Sequence, residues 1–314
     1  MKVNRSLTGD INKKTIATLG IFDGVHLAHQ QILCRIKELS EQLNKESMLI
    51  SLWPHPRYVL NKDAENLKLI STLDEKLEKI KEYGIDNVLL IPFDKQFASI
   101  PFDKFIKKIL VDKLQIQHLV VGFNHQFGRN RQGNFENLRT FAEKYGFVIE
   151  QLNKAEVNNV GVSSSTIRKN IYEGNIEMAN QMLGYIFYIK GKVVHGNKVG
   201  RNLGFPTANI SIPEIYKIIP ADGVYAVEGV IENKKYQGMM NIGTRPTFGD
   251  KGVKVIEVNF FNFNQNIYEK EVKLFFHKRV REEKKFASIE ELIKQIENDK
   301  KQIVDYLTSI KKQK

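Results

Sequence analysis

Apolar positions in the first half of the chain gather into short, evenly spaced runs. TIATLGIF (15–22), SMLISLW (47–53), NVLLIPF (87–93), QHLVVGF (117–123) and GFVIEQL (146–152) have the length and β-branched content of buried strands. The segments between them have helical spacing. A helix is predicted over His26 to Leu43, another over TLDEKLEKIKEYG closed by Gly84, a third over FDKFIKKILVDKL and a fourth over 134–145. Strands alternating with helices predict a mostly parallel α/β sheet. SSSTIRKNIYEGNIEMANQMLG (163–184) reads as two short helices, with serine opening the first and Gly184 closing the second.

The pattern changes after Gly184. YIFYIKGKVVHG, GVYAVEGVIE, KKYQGMMNIG, VIEVNFFNF and EVKLFFHKRVR are β-rich runs separated by Gly, Asn and Asp, the spacing of an antiparallel barrel or sandwich. From Ser288 the pattern is helical again, with Ser288 as N-cap and Glu291 three residues on. Two domains are therefore expected, 1–184 and 185–314. No internal repeat or low-complexity segment interrupts them.

Composition narrows the function classes. The chain has 314 residues, 42% of them hydrophobic, enough for a core in each half. No run approaches the ~18 apolar residues of a membrane helix. Cys34 is the only cysteine, so an intrachain disulfide and a Cys-rich metal site are both excluded. The first residues, MKVNRSLTGDINKK, lack an apolar h-region, and a cytoplasmic protein is expected. Net charge is +12. Residues 1–184 carry 25 Lys+Arg against 21 Asp+Glu, and residues 185–314 carry 23 against 15. The lysines are scattered and often sit beside acids, as on solvated helix faces. Nucleic-acid binding calls instead for clustered cations with stacking aromatics, so it is not expected. A diffuse positive field suits a small polyanion.

The first candidate chemistry lies in LGIFDGVHLAHQQIL (19–33), where His26 and His29 sit at the mouth of a predicted helix. Three readings compete for the pair. They could bind a metal, although no nearby Cys or His completes a ligand set. They could cap the helix. They could also face phosphates drawn to free N–H groups and the positive end of the helix dipole. Gly20 and Gly24 would let the backbone approach those phosphates closely.

G-I-F-D-G-V-H-L-A-H resembles the G-x-F-D-G-x-H-x-G-H signature of the bacterial bifunctional riboflavin kinase/FAD synthetase family, a member of the HxGH-type nucleotidyltransferases. Ala28 stands where that family normally has glycine. W-P-H-P (53–56) resembles the family's F-x-P-H-P loop. V-G-F-N-H-Q-F-G-R-N-R-Q-G (121–133) resembles V-G-x-D-F-x-F-G-x-x-x-x-G, with Asn124 for Asp and His125 for Phe. S-S-S-T-I-R (163–168) resembles S-S-T-x-I-R, with Ser165 at the threonine position. G-R-N-L-G-F-P-T-A-N (200–209) matches the riboflavin kinase signature G-x-x-L-G-F-P-T-A-N. N-I-G-T-R-P-T-F, V-I-E-V-N-F and K-F-A-S-I-E-E-L follow the same family pattern, and the likeness runs from about residue 15 to 305.

The resemblance implies an N-terminal Rossmann-like domain and a C-terminal six-stranded antiparallel Greek-key barrel with a terminal helix. It implies that riboflavin is phosphorylated by ATP to FMN in the second domain, and that FMN is adenylylated by a second ATP to FAD and pyrophosphate in the first. A divalent cation, Mg²⁺, is expected in both. His26 and His29 would stabilise the α-phosphate and the departing pyrophosphate. Gly20, Phe22, Asp23, Gly24, Ser163, Ser164, Ser165 and Arg168 would complete the ATP site. His55, Pro56, Asn124, Phe127 and Gly128 would take FMN. In the kinase half, Gly204, Pro206, Thr207 and Asn209 would hold nucleotide and flavin, with Thr207 and Asn209 on the metal. Alternation places Ile256, Val258 and Phe260 on one strand face and Glu257 on the other. The resemblance makes Glu257 the general base toward the ribityl 5′-hydroxyl. Arg279 and Arg281 read as surface charge. The alternative is a riboflavin kinase whose adenylylating half has decayed, suggested by Ala28, Asn124 and Ser165.

Overall fold

The computed structural model describes residues 1–7, 14–60, 66–123, 133–196, 200, 203–247 and 250–312. The chain forms two compact units, Met1–Ser164 and Ser165–Lys314. The texture change at Gly184 therefore falls inside the second unit, which begins with the helix pair.

In the first unit, β1 (Lys2–Asn4), β2 (Ile16–Leu19), β3 (Ser47–Trp53), β4 (Asn87–Pro92), β5 (His118–Val121) and β6 (Val148–Gln151) form a parallel sheet in the order β1-β4-β3-β2-β5-β6. The five expected strands are present. The sixth, β1, is three residues long, too short to show a period. Helix α1 (Leu27–Gln42) follows β2, and α2 (Pro56–Leu60) and α3 (Leu73–Glu82) follow β3. After β4 come α4 (Lys95–Ala98) and α5 (Phe102–Phe105), the latter widening into a π-helical stretch at Ile106–Lys113. Helix α6 (Phe135–Tyr145) precedes β6 and ends on Gly146 in the left-handed conformation.

The period of two along each strand divides the core. Ala17, Leu19, Met48, Ile50, Leu89, Ile91, Leu119 and Val121 pack on one face with the π-helical stretch and α6. Ile16, Leu49, Val88, Leu90 and Val120 pack on the other with α1 and α3. The order of strands reverses between β2 and β5. In an open parallel sheet this is where a crevice forms at the carboxyl ends of the strands. The loop after β2 leads to His26 and, one helical turn into α1, His29.

The unit ends with the short hairpin β7 (Glu156–Val157) and β8 (Val160–Gly161) and the first residue of α7 (Ser164–Glu173). In the second unit α7 and α8 (Ile176–Leu183) adjoin the barrel. The Asn180 amide donates to the Phe276 carbonyl at 2.9 Å, and its oxygen accepts from the Phe187 amide at 2.7 Å.

The barrel strands are β9 (Tyr188–Val194), β10 (Ala208–Ser211), β11 (Gly223–Ile231), β12 (Lys234–Thr247), β13 (Asp250–Phe260) and β14 (Glu271–Arg281). They close in the order β10-β13-β12-β11-β14-β9, every pairing antiparallel. Strand β10 pairs with β13 and β9 rather than with its sequence neighbour β11. Helix α9 (Ile289–Lys312) covers Val224, Ala226 and Phe261 with Ile303 and Leu307. Its start is capped as expected, the Glu291 amide donating to Ser288 Oγ at 3.2 Å.

The expectation that Arg279 and Arg281 are surface charge is corrected. Arg281 Nε lies 2.8 Å from Asp299, which is 1% exposed and so anchors α9 to β14. Arg279 donates to the Asp222 carbonyl and lies against Gly174 and Gly223, where no side chain competes for the space. A second tie joins Glu228 to His277 at 3.0 Å and to Lys311 at 3.2 Å. These two partners hold the Glu228 carboxyl down to about 2.

Candidate functional site

In the first unit the site grows from the end of β2. Residues 20–26 turn sharply, with positive φ at Phe22 (56°), Gly24 (78°) and Val25 (38°). A Cβ on Gly24 would meet Ile70 at 2.8 Å, so sterics as well as φ call for glycine there. Asp23 is buried and faces inward. Its carboxylate accepts from the amides of Ile70 (2.9 Å) and Ser71 (3.1 Å), while Ser71 Oγ accepts from the Gly24 amide at 3.1 Å. Asp23 thus shapes the loop by holding it to the segment that leads into α3.

His26 takes the N-cap position of α1 with extended backbone (φ −71°, ψ 173°) and makes no side-chain cap. Its ring stacks on His29 at 3.7 Å, and His29 stacks on Phe22 at 4.4 Å. Three flat rings therefore pile up at the positive end of a sixteen-residue helix. His29 Nδ1 is buried without a hydrogen-bond partner among the described residues. Burial, with the neighbouring His26 and Lys76, lowers the His29 pKa well below the ordinary imidazole value. A neutral imidazole at that point can donate a hydrogen bond to an incoming anion. Among the described residues no group of three or more His, Cys, Asp or Glu could hold a metal ion.

Of the other residues predicted for the adenylyltransferase site, Ser164 meets the same loop, and the rest lie elsewhere or outside the described residues. Ser164 Oγ donates to the Asp23 carbonyl at 3.0 Å, which ties the last residue of this unit to the histidine loop. Ser163 precedes it and is half-buried. Ser165, exposed, and Arg168, buried, lie on α7 in the second unit. His55 is buried after a cis Trp53–Pro54 bond, and its Nδ1 accepts from the Arg57 amide at 3.1 Å, capping the α2 turn that Pro56 begins. Asn124, Phe127 and Gly128 lie outside the described residues.

The second unit builds its site from strand register. Asn209 on β10 stands opposite Glu257 on β13, and Glu257 stands opposite Asn241 on β12. Directly opposed residues share a face with Cβ atoms about 5 Å apart. Asn209, Glu257 and Asn241 thus form one row, away from the buried Ile256, Val258 and Phe260 as alternation predicts. Asn259, two residues beyond Glu257 on the same face, donates to the Pro206 carbonyl at 2.7 Å. That bond draws the Gly204-Phe205-Pro206-Thr207 loop onto the row. Gly204 turns the loop with φ 83°. The loop before β10 crosses over it tightly. A Cβ on Gly196 would strike the Asn209 amide, and one on Gly200 would strike the Phe205 carbonyl and approach Thr207 Oγ1 at 3.3 Å. The donors collected here are a hydroxyl, three amides and a carboxylate. Such hard oxygens suit Mg²⁺ that keeps phosphate and water ligands.

Comparison with known proteins agrees with both halves. A family model described as FAD synthetase matches residues 9–166, and one described as riboflavin kinase matches residues 183–307. A Bacillus subtilis bifunctional riboflavin kinase/FMN adenylyltransferase is 37% identical over 95% of this chain and 94% of its own length. The chain belongs to the bifunctional riboflavin kinase/FMN adenylyltransferase family. A relative of the same name from Buchnera aphidicola of Schizaphis graminum is 40% identical over 96% of both chains. A solved structure of a Streptococcus pneumoniae protein, described as a macrolide-efflux protein, superposes with a TM-score of 0.88 at 29% identity, covering 95% of this chain and 97% of that one. No described helix of the present chain is long and apolar enough to cross a membrane.

Both domains of the family are present in one chain, which supports the bifunctional reading over the kinase with a decayed partner. Sequence reasoning missed Asn241, Asn259, Gly196 and Gly200 in the kinase half. Asn241 and Asn259 lie in stretches that carried the resemblance, but their place beside Glu257 depends on strand register. The two glycines matter through what crosses them.

Proposed function

We propose that the first domain transfers AMP from ATP to FMN at the ring stack, and that the second phosphorylates riboflavin at the Asn209–Glu257 row. The observation that supports this division is that His26 and His29 stack at the start of α1 in the first unit, whereas Asn209 stands opposite Glu257 in the barrel of the second. We set the functional boundary at Gly184, with α7 opening on the adenylyltransferase motif Ser163–Arg168.

In the adenylyl transfer an FMN phosphate oxygen attacks the α-phosphorus of ATP, and the bond to the β-phosphate bridging oxygen breaks to release pyrophosphate. Charge builds on the α-phosphoryl oxygens and on the leaving group. His26 and His29 stabilise it by hydrogen bonds from a fixed stack, which needs no reorganisation as charge develops. Gly20, Phe22 and Gly24 shape the phosphate cradle and Asp23 holds it. Ser163, Ser164, Ser165 and Arg168 receive the pyrophosphate. His55 and Pro56, with Asn124, Phe127 and Gly128, hold FMN.

In the kinase, Glu257 accepts the proton of the ribityl 5′-hydroxyl as that oxygen attacks the γ-phosphorus of ATP, and the bond from that phosphorus to the bridging oxygen of the β-phosphate breaks to release ADP. Phosphoryl transfer depends mainly on positioning and charge neutralisation, so placement across from Asn209 matters more than basicity. Thr207 and Asn209 would hold a divalent cation, Mg²⁺, which when bound neutralises phosphate charge. Gly204 and Pro206 set the loop. The partners are riboflavin, FMN and ATP, in the cytoplasm, without nucleic acid or membrane.

The test is a chromatographic product assay with ATP and Mg²⁺, started once from riboflavin and once from FMN. FAD from both starts is expected. FMN accumulating from riboflavin, with no FAD from added FMN, would leave a kinase alone.

A further inference from the structure

Lys76 is a charged side chain in the first unit with no role in the reactions above. It lies in the first turns of α3 and is 3% exposed. Its ammonium donates to the Ile21 carbonyl at 3.2 Å and to Ser51 Oγ at 3.3 Å, and it sits 5.7 Å from the centre of the Trp53 ring. Ser51 Oγ itself donates to the Ile21 carbonyl at 3.3 Å. Three segments therefore meet at one nitrogen: the loop after β2 that becomes the histidine loop, the carboxyl end of β3, and α3. Among the described residues the acceptors of its hydrogen bonds are this carbonyl and this hydroxyl, neither of them charged.

A buried ammonium held only by a carbonyl, a hydroxyl and an aromatic face is costly. A methionine would fill the same space without that cost. The charge lies within electrostatic reach of Asp23 and His29, residues of the loop and helix start proposed to meet polyanions. The Asp23 carboxylate is already engaged by the amides of Ile70 and Ser71.

Building on the adenylyltransferase reading of this unit, we propose that Lys76 is a positioning residue of adenylyl transfer. Its ammonium pins the histidine loop to the end of β3 and supplies the fixed positive charge against which the nucleotide's phosphates are held. The titration behaviour agrees. Burial lowers the Lys76 pKa to about 8, Asp23 opposing, so the group is still mostly charged at pH 7. His29, in contrast, is held neutral there by burial, by His26 and by Lys76. The resting positive charge near His29 is therefore carried by Lys76, whose ammonium is held by Ile21 and Ser51. The titratable groups that interact with Lys76 are Asp23 from the loop after β2 and His29 from α1. Ser51 and Trp53 on β3 carry no ionisable group.

The experiment uses the full chain. FMN adenylylation and riboflavin phosphorylation are measured for wild type, Lys76→Met and Lys76→Arg across pH 6 to 10. In wild type, kcat/KM for ATP in adenylylation should fall as pH rises through about 8, where Lys76 loses its proton. The corresponding limb of kcat should lie at higher pH, because bound phosphates favour the charged form. Lys76→Met should lose about 100-fold in adenylylation and lose that alkaline limb, with riboflavin phosphorylation unchanged. Lys76→Arg should recover to within about 10-fold of wild type and carry the limb beyond the measured range. Adenylylation by Lys76→Met at the wild-type rate would overturn the inference, as would a wild-type alkaline limb that Lys76→Arg leaves in place. Should both variants fail to fold, the wild-type kcat/KM profile decides: a profile flat from pH 6 to 10 overturns it. Wild-type protein that makes no FAD from FMN would overturn the adenylyltransferase reading itself, and the inference with it.

Discussion

The two candidate sites meet phosphates in opposite ways. In the first unit a loop at the carboxyl end of β2 hands over to α1, and the anion would face a helix terminus with two imidazoles stacked on it. In the second unit the loop before β10 folds back over a row of strand side chains, where Asn209, Glu257 and Asn241 stand opposite one another. The ring stack of one site is local in sequence, since His26, His29 and the turn before them span ten residues, although Ile70, Ser71 and Ser164 brace that turn from far along the chain. The other is assembled from residues about fifty apart by register. The difference predicts how each fails. A local site should be lost by changing its own side chains, whereas a register site should also be lost by changes in what crosses it.

The sharpest break is a pair of reciprocal substitutions. Glu257→Gln is expected to lower riboflavin phosphorylation by about 10²–10⁴-fold while supplied FMN is still converted to FAD. His29→Ala should do the converse, losing about 10²–10³-fold in adenylylation with phosphorylation intact. Separate assays from riboflavin and from FMN read both. Equal loss of the two activities in a folded variant would end the two-site division.

A smaller effect tests the register argument. Gly196→Ala places a methyl on the Asn209 amide, and Gly200→Ala places one on the Phe205 carbonyl. Either should lower kinase kcat/KM by about 10–100-fold, a misplacement effect. Melting temperature and FMN adenylylation should hold. Wild-type kinase rates in both variants would mean that this crossing does not constrain Asn209 and Thr207. Asn259→Ala removes the bond to Pro206, worth on the order of 1 kcal/mol. It should raise the kinase KM about fivefold with little change in kcat. A change confined to kcat would contradict a loop-holding role.

The smallest effect concerns stability. The Glu228 pKa is depressed, so its contribution is present above the ordinary carboxylate pKa and is lost as pH falls toward about 2. Glu228→Gln should cost on the order of 1 kcal/mol near neutral pH and flatten the melting-temperature profile between about pH 4.5 and 2. A profile parallel to wild type in that window would assign the acid sensitivity to other carboxylates.

The sequence by itself determined the architecture of both units and most of the candidate residues. Periods of two and 3.6 are set by backbone geometry, so TIATLGIF, NVLLIPF and the α3 pattern announce strands and helices without tertiary help. The histidine pair and the Gly200–Asn209 motif were legible because their residues are neighbours in the chain. Burial, pairing and register were decided only by the tertiary structure. Arg279 and Arg281 look like surface charge until Asp299 and the Asp222 carbonyl are seen against them. Lys76 looks like one more helix-face lysine in EKLEKI until its ammonium is found between Ile21 and Ser51. Asp23 looks like a phosphate-loop acid until its carboxylate is found holding Ile70 and Ser71. In each case the deciding partner lies at least eighteen residues away. Local pattern specifies which way a side chain can point along its own element, but the free energy of a charge depends on what the rest of the chain brings to meet it.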